Sequence, residues 1–462
     1  MKVRVVERMY YSGMVLLLLL SVLGELIWLP DPIRLGASYF WIDMLDSAIY
    51  AIALIPLMWA VAAAGSWLAA ERGMTLKAGN KRWIRIRSAC IGIFGILAAY
   101  FIVIEPKNLQ LSLGSLGITW LFVFVDLFAN ERKRRKFPVR NFSVSLMTII
   151  LGVLFFWPTS YLVTYPGLTL NMNRYAQASG GTVHGELTGV LIFERPAFPV
   201  DWLYAKLFPH YSFELDNLGM SLGDYNQLVR TMKEDANAAG SAVAFQKVGL
   251  GKGITSHGVL ITAIANNSPA AGILKLGDVL EAVNGQQITM VSELSKQMQL
   301  IKPGDQVSVT VRREGKPIRL TTGTQANPDD PNRAAFGIQV SNDLQYDIPG
   351  IINYHTNLLH EGGPSHGAML ALTLIDQLTP GGVGNGNHVA GTGTIEPDAS
   401  VGAVGGVEQK AYTVSRTDAD VFFVPVENEA EARRGAPNLT IVPVHSLDDI
   451  IHWLQIHPKQ VK

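Results

Sequence analysis

Gly362-Gly363-Pro364-Ser365-His366-Gly367, running into Ala368-Met369-Leu370-Ala371-Leu372-Thr373-Leu374-Ile375, is the stretch from which the fold of the last third of this chain is read. A Gly-Pro turn closes one element and an unbroken apolar run opens the next, so the pattern predicts a turn feeding a buried helix. Ser365 then stands at the helix N-terminus, where unpaired backbone N–H groups and the helix dipole favour negative charge on a nearby oxygen. A hydroxyl at such a place is suited to nucleophilic attack on a carbonyl, with Gly363, Pro364 and His366 forming the turn that receives the oxyanion.

Downstream lies Val401-Gly402-Ala403-Val404-Gly405-Gly406-Val407-Glu408-Gln409-Lys410, a glycine-rich, nearly uncharged stretch that ends in a lysine. Lysine acts as a general base only when neutral, and burial among apolar groups lowers its pKa towards working pH. Serine with lysine is one of the alternatives to the Ser-His-Asp arrangement. Singly, each segment is a weak signal. A serine after Gly-Pro is usually a helix cap, and a lysine after two glycines is usually a solvated charge.

Together the two segments resemble the proteolytic domain of Lon-type proteases, whose signature pairs a Pro-Ser-x-Gly turn with a Gly-Gly-x-x-x-Lys segment. The separation of Ser365 from Lys410 is close to that of the family. Ala390-Gly391-Thr392-Gly393-Thr394-Ile395 is similar to the strand that precedes the lysine segment. The resemblance implies Ser365 as nucleophile, Lys410 as general base and Thr392 as the hydrogen-bond partner that orients the amine. It extends through Val421-Phe422-Phe423-Val424-Pro425 to a closing helix near Leu447–Leu454. The residue after the nucleophile is usually alanine in that family and is His366 here.

Outward from this unit, residues 248–324 are strand-rich, with turns at Asn266-Asn267, Asn284-Gly285 and Glu314-Gly315. Within them Gly258-Val259-Leu260-Ile261-Thr262-Ala263-Ile264 is followed by Ser268-Pro269-Ala270-Ala271-Gly272-Ile273-Leu274-Lys275-Leu276-Gly277-Asp278-Val279-Leu280 and Val283-Asn284-Gly285. This order and spacing resemble a PDZ domain. The resemblance implies that Gly258, Val259, Leu260 and Ile261 pair with an extended peptide, that residues 252–258 capture its carboxylate, and that a helix over 291–300 walls the groove.

The chain has 462 residues, too many for one ordinary domain, and 38 basic against 38 acidic residues. Zero net charge argues against a nucleic-acid partner. Hydrophobic residues make up 48% of the chain, and the excess is concentrated in the first third. Five apolar stretches there, near Tyr10–Leu29, Ser47–Ala70, Ala89–Ile104, Leu109–Ala129 and Val144–Tyr165, approach the roughly 20 residues needed to cross a bilayer. Basic residues gather before the first (Lys2, Arg4, Arg8), between the second and third (Arg72 to Arg87) and between the fourth and fifth (Arg132 to Arg140). Basic loops stay in the cytoplasm, so the alternation predicts a cytoplasmic N-terminus and an extracytoplasmic remainder after Tyr165. Glu25 and Asp126 fall near span ends, where snorkelling to the interface accounts for them. The single cysteine, Cys90, excludes an intramolecular disulfide.

Anchor, PDZ and Lon-type unit in that order, with Tyr161-Leu162-Val163-Thr164-Tyr165-Pro166-Gly167 after the last span, resemble the membrane-bound PDZ–Lon (YlbL-type) peptidases of Gram-positive bacteria. Those usually have one span where this chain has five. The fold expected is multi-domain. An α-helical transmembrane bundle (1–165) and a connecting strand/helix segment (166–245) precede a β-rich PDZ domain (246–325) and an α/β (α+β) Lon-type proteolytic domain (326–462). The function implied is that of an ATP-independent, multi-pass membrane serine endopeptidase. It would cleave exported or membrane-associated peptides or proteins recognised through the PDZ domain. No metal, cofactor, ATP or nucleic acid is expected, and a homo-oligomer is allowed.

Other chemistries fit less well. Gly114-Ser115-Leu116-Gly117 is similar to a rhomboid-type intramembrane loop, but the first histidine in the chain is His184. An HtrA-type protease requires Gly-Asn-Ser-Gly-Gly, and Gly384-Asn385-Gly386-Asn387 lacks the serine. His360-Glu361 has no second histidine at zinc-helix spacing. His355, His360 and His366 are therefore read as surface histidines. From another class, a catalytically silent adaptor presenting peptides through its PDZ domain would be expected to have lost Ser365 or Lys410.

Overall fold

The computed structural model describes residues 3–27, 34–35, 39–40, 50–72, 78–106, 108–132, 137–217, 219–220, 222–328, 330–355 and 363–459. Among the described residues five helices are long and apolar enough to cross a membrane: α1 (Val3–Ile27), α2 (Leu54–Arg72), α3 (Ala78–Ile104), α4 (Leu109–Arg132) and α5 (Val139–Phe156). Tyr10, Trp59, Ile91 and Val123 fill the space between them, whereas Leu19, Ile96, Leu121 and Ile149 point outward. An apolar outer surface of this extent is suited to lipid. Trp59 Nε1 donates to the Tyr10 carbonyl at 3.2 Å, satisfying the indole inside the bundle.

Two expectations for this region change. The last span ends at Phe156, not Tyr165, because Pro158 follows and Tyr161 already begins a strand. Asp126 does not snorkel: it is buried, with Arg87 Nε of the neighbouring helix 2.9 Å from its carboxylate. The side chain of Glu25 lies outside the described residues.

Beyond the last span, β1 (Tyr161–Asn171), β2 (Glu186–Pro196) and β3 (Ser212–Leu215) share one sheet with β9 (His388–Gly391), β10 (Val421–Pro425) and β11 (Ile441–Val444). The order is β11-β10-β9-β2-β1-β3. The strands from β2 to β11 run parallel, and β1 is antiparallel to both its neighbours. Every residue of β10 is buried, as befits a parallel strand covered on both faces. The long helix α6 (Leu222–Lys247) packs on α8 (Gly367–Leu378) so closely that a Cβ on Gly240 would stand 2.9 Å from the Gly367 carbonyl oxygen. Between α6 and the sheet, α8 is buried from Gly367 to Gln377.

Residues 161–247, expected mainly as the end of the membrane region and a connecting segment, thus supply half of this sheet and a helix over the one that follows Ser365. The sequence pattern identifies strands but not partners roughly 200 positions away, and the β2–β9 pairing of Glu186 with His388 is of that kind.

The second sheet, in the order β7-β6-β5-β4-β8, is formed by β4 (Gly253–Ile264), β5 (Val279–Val283), β6 (Gln306–Arg313), β7 (Lys316–Gly323) and β8 (Ile338–Asp347). Val259, Ile261, Leu280, Val307, Val309 and Val311 point to one core at period two, closed by Leu294 and Met298 of α7 (Val291–Met298). β8 lies beyond residue 325, inside what was expected to be the proteolytic unit. Removing Asp126 as Asp126→Ala leaves the largely enclosed Arg87 without its counter-charge. It should cost roughly 3 to 5 kcal/mol, read as a lower thermal midpoint in detergent, with Asp126→Asn losing less.

Candidate active site

The Gly-Pro signal produces a single 3₁₀ turn, Pro364–His366, with Pro364 at its start and α8 directly after it. Ser365 is half-buried at this turn. Its carbonyl oxygen accepts from Thr392 Oγ1 at 3.1 Å and from Gly393 N–H at 2.9 Å, while Ala368 N–H donates to the Gly393 carbonyl at 3.1 Å. The turn is therefore stitched to the segment following β9. Gly393 has a φ of +157°, and a Cβ there would collide with Val401 Cγ1, so this close approach requires glycine.

Lys410 projects from the first turn of α9 (Val407–Ser415) and is 2% exposed. Its Nζ donates to Thr392 Oγ1 at 3.0 Å. Two hydrogen bonds thus connect the Lys410 amine through Thr392 to the backbone of Ser365. Burial drives the Lys410 pKa down to about 7, opposed by the more distant Glu431 carboxylate. A neutral amine donates one N–H to Thr392 and keeps its lone pair free.

The start of α9 carries no side-chain cap of its own, because Gly406 stands at that position with a φ of +66°. A Cβ on Gly406 would approach Ile192 Cδ1 of β2 to 2.6 Å. Glu431 replaces the missing cap: its Oε1 accepts from Val407 N–H at 2.9 Å and from Glu408 N–H at 3.3 Å. Asn428 holds Val404 from both sides, accepting from its N–H and donating to its carbonyl. Neither residue was signalled by the sequence, since both lie on a later element and act only through tertiary contact.

His366 is not a surface residue. It is 8% exposed and stands edge-on to Tyr175 at 5.3 Å between ring centres. Its Nδ1 is 2.8 Å from the Gly363 carbonyl and its Nε2 is 2.8 Å from the Asn237 Oδ1 position on α6. Burial pushes its pKa down to about 4, so the ring is neutral and carries one N–H. The Gly363 carbonyl can only accept, which assigns the proton to Nδ1 and requires the Asn237 amide to turn its NH₂ towards Nε2. His366 therefore pins the turn to α6 rather than narrowing a pocket. His355 is exposed and donates its backbone N–H to Tyr175, and His360 lies outside the described residues. Gly363 and Pro364 are half-buried at the turn, where the sequence put them.

The expected peptide-pairing residues have no open edge. Val259, Leu260 and Ile261 lie opposite Asn342, Ser341 and Val340 of β8, and Val259 and Leu260 also face Leu280 and Val279 of β5. Gly258, with a φ of +151°, lets β4 pass close to Val279. The reading of β4 as an exposed acceptor strand is corrected accordingly, for its partner is already in place.

Residues 227–324 match the PDZ domain family, and residues 356–456 match the C-terminal proteolytic domain of Lon protease (S16). The chain thus joins apolar helices to one segment that matches PDZ domains and one that matches the proteolytic domain of Lon protease, the layout of PDZ–Lon-like serine peptidases. Among curated proteins, a probable periplasmic serine endoprotease DegP-like of Pseudomonas putida is 36% identical over 83 residues, 18% of this chain and 17% of that protein. A protein of the same description from Chlamydia muridarum is 38% identical over 91 residues, 19% of this chain and 18% of that protein. The chain spans less than a fifth of the length of these relatives. Among solved structures, the PDZ domain of an SdrC-like protein from Listeria monocytogenes is 21% identical, covering 19% of this chain and 90% of that one at a TM-score of 0.18. Its Listeria innocua counterpart is 25% identical, covering 18% and 92% at a TM-score of 0.17.

The Lys410 shift has a consequence for stability. Between pH about 7 and 10.5 the unfolded lysine holds a proton that the folded one lacks, so stability rises with pH across that window. Lys410→Met should abolish this contribution. Urea melts of both proteins at pH 7 and pH 10 should show the variant's advantage at pH 7 disappearing at pH 10.

Proposed function

We propose that the chain is an ATP-independent, membrane-bound serine endopeptidase in which Ser365 is the nucleophile and Lys410 the general base. The observation that carries this reading is the buried Lys410 amine, held near neutrality and joined through Thr392 to the turn that bears Ser365. Ser365 Oγ attacks the peptide carbonyl while its proton passes to Lys410 Nζ. The tetrahedral oxyanion is met by the Ser365 and His366 N–H groups at the first turn before α8. Lys410 then returns the proton to the departing amine, leaving an acyl-serine. Water, deprotonated by the same amine, attacks the ester and releases the second product. Thr392 orients the amine without competing for its lone pair.

The alternation of basic loops supports a cytoplasmic N-terminus and a catalytic unit on the opposite side of the membrane. Extracytoplasmic or membrane-tethered polypeptides are then the substrates, with recognition through the PDZ domain. A silent adaptor gains no support from β4, whose acceptor edge is filled by β8.

Ser365→Ala and Lys410→Ala should each abolish cleavage of a fluorogenic peptide while leaving the protein folded and inserted. Lys410→Arg should not rescue, because guanidinium stays protonated. Wild-type activity should rise as pH increases through about 7, tracking the neutral fraction of Lys410. Cleavage by the Ser365→Ala variant at the wild-type rate would refute the assignment.

A further inference from the structure

We propose that the cleft between α2 and α3 binds an anionic phospholipid, its phosphodiester seated among Lys81, Arg82 and Arg85 and its acyl chain laid along the outer face of α3. The inference rests on the membrane anchoring proposed above and assigns a ligand to the helical bundle, outside the catalytic and PDZ units.

The cleft has a volume of about 390 Å³ and is lined by Trp67, Lys81, Arg82, Arg85, Ile86 and Ala89. It lies where α2 ends, at Arg72, and α3 begins, at Ala78. A span end is the level of lipid headgroups, and an indole such as that of Trp67 belongs there. Three cations in this cleft meet one carboxylate. Glu71 Oε1 stands 3.5 Å from Arg85 Nη2, farther than in a charge-assisted hydrogen bond. Arg85 also lies over the Trp67 ring at 5.8 Å, and its Nε, closed off from solvent, has no hydrogen-bond partner among the described residues. Lys81 and Arg82 carry no ion pair among the described residues, whereas Arg87, on the same helix, is matched by Asp126. The cleft therefore holds an excess of positive charge and a guanidinium donor in want of an acceptor, both of which a phosphodiester supplies.

The same face of α3 continues as an apolar track. Ile86 and Ile93 stand two helical turns apart, Ile96 and Leu97 follow one turn later, and all four are exposed. Cations at the start of the helix and an aliphatic stripe beyond them reproduce the order of a phospholipid, phosphate first and hydrocarbon after. A free phosphate would use the cations and leave the stripe without a role. The excess of positive charge also selects a headgroup of net negative charge over a zwitterionic one, whose own cation would be repelled.

The test uses the full chain in a maltoside detergent with two tail-labelled fluorescent lipids, phosphatidylglycerol and phosphatidylcholine, read by anisotropy. The chain should bind the phosphatidylglycerol probe at least about tenfold more tightly than the phosphatidylcholine one. Lys81→Gln with Arg82→Gln should lose at least about tenfold of that affinity. Arg8→Gln with Arg132→Gln, the same change of charge at other span ends, should lose less than about twofold. Ala89→Phe, which fills the cleft and keeps its charges, should weaken binding as well, each variant being one that melts as cooperatively as its parent. Equal losses in the two double variants would overturn the site in favour of general attraction to a basic surface. Inorganic phosphate should compete only weakly at matched ionic strength; competition as tight as that of the lipid would replace the lipid by a free phosphate. Anchoring is read separately, by retention of the reconstituted chain in vesicles through an alkaline wash. Release would overturn anchoring and the lipid site together, whereas retention with equal binding of the two lipids would overturn the site alone.

Discussion

The interaction around which the last unit is arranged is the burial of one lysine amine. Lysine in water holds its proton far above neutral pH, so a buried Lys410 has to be walled off without leaving its donors unmet. The walls come from distant parts of the chain. α9 rests on β1 and β2, and Ile192 of β2 fits against the bare backbone of Gly406. Thr392 accepts a hydrogen bond from the amine, and the carboxylate that acts on it, Glu431, is occupied by the N–H groups at the start of α9. A free carboxylate beside the amine would favour the charged form and cancel the effect of burial.

That requirement explains the unusual division of the chain. Strands β1 to β3 and helix α6 precede the PDZ sheet, and the Ser365 turn, β9, α9 and β10 follow it, yet they gather around one six-stranded sheet and the apolar clusters packed on it. The two parts are also joined by a hydrogen-bonded cluster at the Ser365 turn. Tyr175 and Tyr354 reach Asn237 on α6, Ser241 joins Tyr354, and Asn237 contacts His366. A neutral histidine suits this cluster, because an imidazolium in so buried a place would need a counter-charge. The position next to Ser365 therefore carries a brace between the halves.

The turn that feeds a buried helix at Ser365 could be read from the sequence because its setting is local, a Gly-Pro pair before an apolar run; Thr392 and Lys410 were picked out by the resemblance, and the structure brings their two side chains together. The five apolar helices were legible for the same reason, through composition over windows of about 20 residues. What escaped depends on contacts between segments far apart. Asp126 near a helix end gives no sign of facing Arg87 on another helix. Asn237 reads as an ordinary polar position of an amphipathic helix, and His366 as a surface ring, until α6 is laid across the turn. The role of β2 was hidden because parallel pairing leaves no turn signal between partners.

The PDZ sheet follows a related logic. β4 is a long strand of valine, leucine and isoleucine, and its free edge would present unpaired N–H and C=O groups to any neighbouring chain. Small strand domains commonly shield such an edge with charge, proline or a bulge. Here the edge is taken by β8 over nine ladder pairs against the two that β5 makes on the other side, which leaves β8 as the outermost strand of the sheet. The cavity lined by Ile338 and Val340 of β8 and by Val291, Leu294 and Met298 of α7 lies beside that outermost strand. The domain thus shields the most apolar of its strands and leaves its open edge on a strand whose residues alternate between half-buried and exposed.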